Sequence, residues 1–165
     1  MLKKREKEVL IHLIKNGKAP DKYIAKLLGT SQPTVTRIRR KLEKKGFIKS
    51  YKVWVDLEKV GIKLVVFTFF KIADSTNSEK IKRKILPYLY NVPQIVCVAE
   101  GEGMGKTSLI VSVHTSFKDY QDMIEKIRNA FGKFINEIEQ FFVSIDRFHK
   151  EFSLESALIK AIERC

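Results

Sequence analysis

Between Ser31 and Lys49 the sequence places side chains that can recognise nucleic acid. Glutamine can pair with adenine, arginine with guanine, and the methyl group of threonine can contact thymine. From Arg37 to Lys45 there are six basic residues and one acidic residue, whereas a helix face that is merely solvated usually mixes both signs. The candidate contacts are Ser31, Gln32, Pro33, Thr34, Thr36, Arg37, Arg40, Lys41, Lys44, Lys45 and Lys49.

A helix must position these side chains. Val35, Ile38 and Leu42 repeat at helical spacing and predict its buried stripe. Ser31 precedes the run as a candidate N-cap, and Pro33 suits the first turn because its missing N–H has no helical partner there. The sequence therefore predicts a helix that begins after Ser31 and turns its basic side chains away from the stripe.

The outward face divides by position along this helix. The first turns of a recognition helix meet base edges, and later basic residues suit phosphates. The predicted base-edge group is Gln32, Thr34, Thr36 and Arg37, and the predicted phosphate group is Arg40, Lys41, Lys44 and Lys45. Arg39 lies at the margin of the buried stripe, where we expect it to pair with Glu43 one turn later.

Two earlier helices complete a helix-turn-helix. Apolar spacing predicts helices over residues 3–15 and 21–28, the second with Asp21 as its N-cap. Ala25 is small where two helices would cross, and Gly29 permits a left-handed turn between them. Residues 1–50 are therefore predicted to form a helix-turn-helix DNA-binding domain.

The charge distribution supports a polyanionic partner. The chain of 165 residues has a formal net charge of +13, and residues 1–50 carry 15 basic and 4 acidic residues. The other 115 residues carry 17 basic and 15 acidic residues. A compact unit of net charge +11 attracts polyanions and releases their counterions on binding. An anionic membrane would be attracted in the same way, so charge alone does not choose the partner.

The segment after the third helix changes period. Tyr51, Val53 and Val55 alternate with Lys52 and Trp54, which predicts an extended ribbon. This linker, residues 51–62, has two interpretations. Either it is a wing that places Lys49 and Lys52 on phosphates, or it is a strand that pairs with a partner subunit.

From residue 63 the predicted element order is β-α-β-β-α-β, the ferredoxin-like plan of an α+β protein. Its two helices can cover one face of the sheet, yet residues 64–70 offer apolar side chains to both faces. A second copy of the sheet would cover the remaining face, which predicts a twofold dimer. A terminal helix over residues 153–164 is the alternative cover.

The chain resembles the Lrp/AsnC family of bacterial and archaeal regulators. The resemblance is carried by LGTSQPTVTRIRRKLEKKGFIKSYKVWVDLEKVG, residues 28–61, where the family's Leu-Gly, Ser, Thr-Val, Arg-Ile, Leu-Glu, Gly-x-Ile and Tyr occur in order without gaps. It implies an N-terminal winged helix-turn-helix and binding to the control regions of genes. It also implies that residues 63–165, terminal helix included, bind an effector and form dimers that often assemble into octamers.

One turn departs from the family pattern. The family commonly has Gly-x-x-Asp between the second and third strands, near its amino-acid effector. The matching residues here are Gly103, Met104, Gly105 and Lys106, which the resemblance makes the candidate effector site. Because lysine cannot accept a hydrogen bond from an amino group, an anionic effector or none is expected instead of an amino acid.

Several other signals are expected to be structural. Residues 100–108 imitate a P-loop, but the motif needs a glycine where Glu100 stands and a helix after Lys106, where a strand pattern follows. A glycine-rich hairpin is therefore predicted. The two cysteines and three histidines lack metal-ligand spacing, so we expect no metal, cofactor or catalytic residue. The longest apolar run is too short to span a membrane and no signal peptide is apparent, so we expect a cytoplasmic protein.

Two alternatives remain open at this stage. Some haem-pathway decarboxylases share this architecture, so the chain could be an Lrp-like enzyme or ligand carrier, for which His114 is the only strand histidine. The basic N-terminal third could also bind structured RNA rather than duplex DNA.

Overall fold

The computed structural model describes residues 2–72, 78–150 and 153–164. The chain forms two compact units. Unit 1 contains the described residues of Met1–Trp54 and of Glu151–Cys165, and unit 2 contains those of Val55–Lys150. The chain therefore passes between the units twice.

Unit 1 opens with the three predicted helices, α1 (Lys4–Lys15), α2 (Asp21–Leu27) and α3 (Gln32–Lys44). Their core includes the fully buried Val9, Ile24, Val35 and Leu42. Gly29 follows α2 with φ of 59°, in the left-handed region that costs glycine little. The apolar stripes and the turn between α2 and α3 are thus as predicted.

The two helix starts differ in how well they were predicted. Ser31 is the N-cap of α3, and its Oγ accepts a hydrogen bond from the Thr34 backbone N–H at 3.4 Å. The N-cap of α2 is Pro20, and Asp21 is the first helical residue. The prediction of Asp21 as a cap is therefore wrong, because its carboxylate is used by side chains of α3.

The last helix, α6 (Glu155–Arg164), belongs to unit 1. It contacts α1, and Ile162 packs against the core of the three N-terminal helices. The sequence grouped this helix with residues 63–165. That grouping differs from the structure because an apolar stripe shows that a helix buries one face, but not which element covers it.

The predicted ribbon over residues 51–55 is not a regular strand in the single chain. A strand needs a neighbouring backbone to complete its ladder of hydrogen bonds, and no described residue supplies one here. Val53 and Trp54 are left 74 % and 66 % exposed. The turn over residues 57–61 closes through a hydrogen bond from the Gly61 N–H to the Glu58 carbonyl at 2.9 Å.

Unit 2 has the predicted βαββαβ order. Its elements are β1 (Leu64–Ile72), α4 (Ser78–Tyr90), β2 (Ile95–Gly103), β3 (Lys106–His114), α5 (Phe117–Phe131) and β4 (Ile135–Ser144), with 3-10 turns at Gly132–Phe134 and Ile145–Arg147. The sheet order is β2-β3-β1-β4 and all neighbours are antiparallel. A strand, not a helix, begins at Lys106, so the predicted hairpin is confirmed.

The two faces of the sheet differ. Val66 and Phe70 join the core that includes Ile85 of α4 and Ile124 of α5. The alternate residues of β1 stand outside that core: Phe67 pairs in register with Val111 and Phe141, and Phe69 pairs with Leu109. Phe141 is 64 % exposed. An apolar face therefore lies outside the helix-covered core, as the strand pattern predicted.

Candidate DNA-binding interface

The outward face of α3 forms a concave basic surface. A hollow of about 550 Å³ is lined by Gln32, Pro33, Thr36, Arg37 and Arg40. Arg37 and Arg40 are exposed, and within the described part of the chain neither has an ion pair. A helix face that offers free guanidinium groups beside a glutamine can meet both base edges and phosphates.

Packing and capping hold this face outward. Val35 and Leu42 are completely buried and Ile38 is 9 % exposed, so α3 is fixed about its axis by the stripe. At its first turn the Ser31 and Thr34 hydroxyls lie 2.8 Å apart and share a hydrogen bond. Both hydroxyls are exposed, so Ser31 serves the helix end while remaining at the predicted DNA surface.

Asp21 joins α2 to α3. Its carboxylate accepts a hydrogen bond from the Thr36 hydroxyl at 2.6 Å and another from Arg39 Nε at 2.7 Å. The Thr36 hydroxyl is also 3.1 Å from the Gln32 carbonyl. Since this hydroxyl is engaged within the protein, the methyl group is what Thr36 can offer a base.

Arg39 is structural, but its predicted partner is wrong. Besides Asp21, its guanidinium donates to the Ala19 carbonyl at 2.8 Å and lies 5.8 Å from the centre of the Tyr51 ring. Glu43 instead accepts a hydrogen bond from the Tyr51 hydroxyl at 2.8 Å. The cluster ties the turn before α2, the helix α3 and the first linker residue together.

The predicted phosphate contacts do not all stand free. Lys41 forms an ion pair with Glu6 of α1, whose side chain is 7 % exposed. The hydrogen bond from Lys41 holds the pKa of the Glu6 carboxyl below its ordinary value. Lys44, Lys45 and Lys49 are exposed and have no ion pair among the described residues, so they fit the predicted role better than Lys41 does.

The sequence analysis overlooked two lysines of α2. Lys22 and Lys26 are both exposed and stand one turn apart, on the side of α2 opposite the buried Ile24. In a helix-turn-helix the first helix crosses the DNA backbone. Their i, i+4 spacing on the side opposite Ile24 was the signal that could have identified them as candidate phosphate contacts.

The candidate effector turn is built around a paired lysine. Met104 and Gly105 turn the chain with positive φ, and Lys106 then enters β3 with its side chain 8 % exposed. Its ammonium lies 2.9 Å from Glu139 and 3.4 Å from Glu137, both of β4. These hydrogen bonds, with that to Glu139 foremost, raise the pKa of Lys106. The positive charge expected to attract an anionic effector is thus already matched by two carboxylates.

A cavity of about 260 Å³ adjoins this turn. Its lining includes the apolar Phe69, Ala99 and Leu109 and the charged Glu102 and Lys106. The structure therefore brings the predicted Gly103, Met104 and Lys106 to one cavity, and Gly105 to the same turn.

Ser112, His114 and the partly exposed Asp119 imitate a hydrolytic triad. His114 Nε2 lies 2.8 Å from Ser112 Oγ, and Nδ1 lies 3.4 Å from an Asp119 carboxylate oxygen. Ser112 and His114 have no exposed surface, so a substrate has no access to the hydroxyl. Burial also lowers the pKa of His114, against the opposing effect of Asp119. The group is a structural link between β3 and α5.

The described residues contain neither a membrane-spanning helix nor a group of metal ligands. None of the helices is long and apolar enough to span a bilayer. In the same part of the chain no three His, Cys, Asp or Glu side chains are grouped as metal ligands.

Known proteins resemble the chain in both sequence and fold. A family profile described as winged helix-turn-helix DNA-binding matches residues 2–49. The HTH-type transcriptional regulator LrpA of Pyrococcus horikoshii is 37 % identical over 141 residues, 81 % of this chain and 88 % of that protein. The HTH-type transcriptional regulator FL11 of the same organism is 29 % identical over 140 residues, 85 % of this chain and 79 % of that protein.

Solved structures show the same fold. AsnC of E. coli superposes with a TM-score of 0.77 at 17 % identity and covers 92 % of this chain and 98 % of its own. A transcriptional regulator of Neisseria meningitidis, solved in complex with L-Met, superposes with a TM-score of 0.79 at 16 % identity, over 95 % of this chain and 99 % of its own.

Proposed function

The chain belongs to the Lrp/AsnC family of DNA-binding transcriptional regulators, and from that premise we propose which of its surfaces bind DNA and which hold its subunits together. Gln32, Thr34, Thr36 and Arg37 contact base edges in the major groove. Exposed lysines of α2 and α3 contact the phosphates on either side of it. The relatives of this chain are transcriptional regulators, so an enzymatic role gains no support from them.

One observation carries the assignment of the recognition surface. On α3, the arginines fall into two groups: Arg39 is tied to Asp21 at 2.7 Å, while Arg37 and Arg40 line an open hollow without an ion pair in the described residues. A buried or paired arginine stabilises the fold, whereas a free guanidinium at the first turns can bind guanine through two hydrogen bonds.

Selection of bound sequences from random duplexes tests this assignment. We expect a recurring sequence, and we expect labelled duplex to be displaced by that sequence more readily than by unrelated duplex or structured RNA. The assignment would be wrong if the protein did not bind duplexes at low salt. It would also be wrong if structured RNA displaced the labelled duplex more strongly than the unlabelled selected duplex did.

We further infer that two copies associate through surfaces left open in one chain. One is the apolar face of the sheet, where Phe141 is 64 % exposed. The other is the extended segment around Val53 and Trp54, whose backbone has no ladder partner among the described residues. Burial of both on a second copy would remove apolar surface from water and satisfy the strand hydrogen bonds together.

Sedimentation with two matched variants tests the dimer. Phe141→Glu places a charge on the open face, and Tyr90→Glu places one on an equally exposed aromatic residue of α4. We expect the unmodified chain and the Tyr90 variant to sediment as dimers at micromolar concentration and the Phe141 variant as a monomer. A mass of four dimers would extend the proposal to an octamer, and a monomeric unmodified chain would contradict it.

For the candidate effector turn we infer that no free amino acid binds through residue 106. The Lys106 ammonium already faces Glu137 and Glu139. The amino group of a free amino acid would therefore meet the like charge of Lys106, and its carboxylate would have to compete with the two glutamates. We expect methionine at millimolar concentration to leave the melting temperature of unit 2 unchanged. A rise that disappears in Lys106→Gln would contradict this inference.

A further inference from the structure

Helix α4 carries a second cluster of basic residues outside the helix-turn-helix. Lys80, Arg83 and Lys84 occupy the i, i+3 and i+4 positions of its first turns, and all three are exposed. At 3.6 residues per turn they fall within an arc of about 100°. We call these three residues the α4 patch.

The described acids beside α4 do not neutralise the patch. Glu79 and Glu100 both pair with Lys82, at 3.2 Å and 2.8 Å, and Lys82 lies on another side of the helix. In the described part of the chain no acid pairs with Lys80, Arg83 or Lys84. Like charges one turn apart destabilise a helix, so the patch has a cost to folding that no acid among the described residues of unit 2 offsets by pairing with it.

From this geometry we propose that the α4 patch binds the phosphate backbone of duplex DNA beyond the segment held by α3. The inference rests on the proposed function, because DNA bound by unit 1 stays tethered near unit 2 and is present there at high effective concentration. Three cations on neighbouring turns suit consecutive phosphates and carry no sequence preference.

A duplex suits this surface better than a membrane does. Helices that bind bilayers need an apolar face free to enter the lipid. The apolar face of α4 is buried in the core of unit 2, where Ile81, Ile85 and Leu89 are 6 %, 3 % and 1 % exposed. What α4 presents to solvent is therefore charge without an inserting face.

The test compares duplexes of two lengths and two charge-matched variants. One variant is Lys80→Gln/Arg83→Gln/Lys84→Gln. The control, Lys118→Gln/Lys126→Gln/Arg128→Gln, removes three exposed basic residues from α5, where acids are interspersed. The short duplex of about 20 base pairs spans two half-sites one turn apart, and the long duplex extends it to about 60 base pairs.

We expect the α4 variant to bind the short duplex as tightly as the unmodified protein does. It should bind the long duplex at least about tenfold more weakly than the unmodified protein at 0.1 M salt. The salt slope of long-duplex binding should be lower by up to about 2.7, or about 0.9 per lost phosphate contact. The control variant should match the unmodified protein on both. The melting temperature of the α4 variant should not fall, since repulsion has been removed.

Each other result has a defined meaning. If the unmodified protein did not bind the short duplex, the proposed function itself would be overturned. Normal short-duplex binding with equal long-duplex affinities for both variants would overturn the α4 proposal alone. Capture of anionic phosphatidylserine vesicles that depends on the α4 patch, with unchanged long-duplex affinity, would reassign the patch to a membrane.

Discussion

Helix α3 of unit 1 and the β2–β3 turn of unit 2 both present basic side chains, but they treat the charge in opposite ways. Arg37 and Arg40 of α3 line an open hollow without an ion pair in the described residues. Lys106 beside the turn is 8 % exposed and lies within 3.4 Å of two glutamates of β4. A cation left unpaired by its own fold is available to a polyanion, whereas a cation paired twice stabilises the element that carries it.

The same contrast runs within α3. Arg39 and Lys41 alternate with Arg37 and Arg40 along the helix, yet the first two pair with Asp21 and Glu6. The sequence predicted DNA contacts for Arg37, Arg40 and Lys41 and a structural role for Arg39. The partners assign two of them to holding α3 against α1 and α2, which keeps the other two aimed outward.

The largest expected effect separates the units by their cores. Leu42 is completely buried in unit 1, so Leu42→Ala should lower the free energy of unfolding of that unit by about 2–5 kcal/mol and weaken duplex binding. Ile85→Ala is the counterpart in unit 2. Urea titration followed by circular dichroism should show each substitution moving a different transition. One shared transition that both substitutions move equally would contradict the division into two units.

The next effect concerns a free arginine. Arg37→Ala should cost about 1–3 kcal/mol of binding free energy on the selected sequence and relax the preference at one base pair. Fluorescence anisotropy on selected and unrelated duplexes measures both, with Lys126→Ala of α5 as the control. Unchanged affinity for the selected sequence would mean that α3 is not the recognition helix.

A smaller effect compares a free lysine with a paired one. Lys44→Ala should weaken all duplexes alike and reduce the salt slope of binding by about 1. Lys106→Gln should leave that slope unchanged, because two carboxylates already match its charge. Equal reductions in the salt slope for the two variants would contradict the difference drawn between the unpaired lysine of α3 and the paired lysine of the β2–β3 turn.

The smallest expected effect is a difference in acid sensitivity. Burial lowers the pKa of His114 in unit 2 below its ordinary value of 6.5, so the unfolded chain takes up the proton first. Unit 2 should keep its full stability above about pH 6.5 and lose part of it as the pH falls below that value. In unit 1 the pKa of Glu6 lies below its ordinary 4.5, so the stability that Glu6 contributes is lost only as the pH falls below about 4.5.

Melting curves at about pH 7.5 and pH 5.5 check this difference. The transition of unit 2 should move to lower temperature on acidification while that of unit 1 stays, and His114→Gln should remove the movement. If the His114 variant kept the same dependence on pH, another group in unit 2 would be responsible.

Local patterns predicted most of the fold. The apolar stripe of α3, the N-cap at Ser31 and the βαββαβ order depend on neighbours a few residues apart, and all three are confirmed. The glycine-rich turn at residues 103–106 was likewise visible, because a strand pattern followed it where a phosphate-binding loop needs a helix.

What failed depended on partners distant in sequence. Arg39 binds Asp21, 18 residues away, although Glu43 stood at the favourable helical spacing. Lys106 pairs with Glu137, 31 residues later, a contact that the pattern of the turn did not indicate. Periodicity shows which side of an element is polar, but not which acid the tertiary fold brings to a given base.

The return of α6 to unit 1 has a consequence for synthesis of the chain. Ile162, which packs on the core of unit 1, is translated after all of residues 55–150, so unit 2 is in effect an insertion within the DNA-binding unit. The ribosome therefore synthesises all of residues 55–150 before the helix-turn-helix can pack against α6. A transcript truncated just after unit 2 would encode every predicted DNA contact while leaving the unit that presents them one helix short.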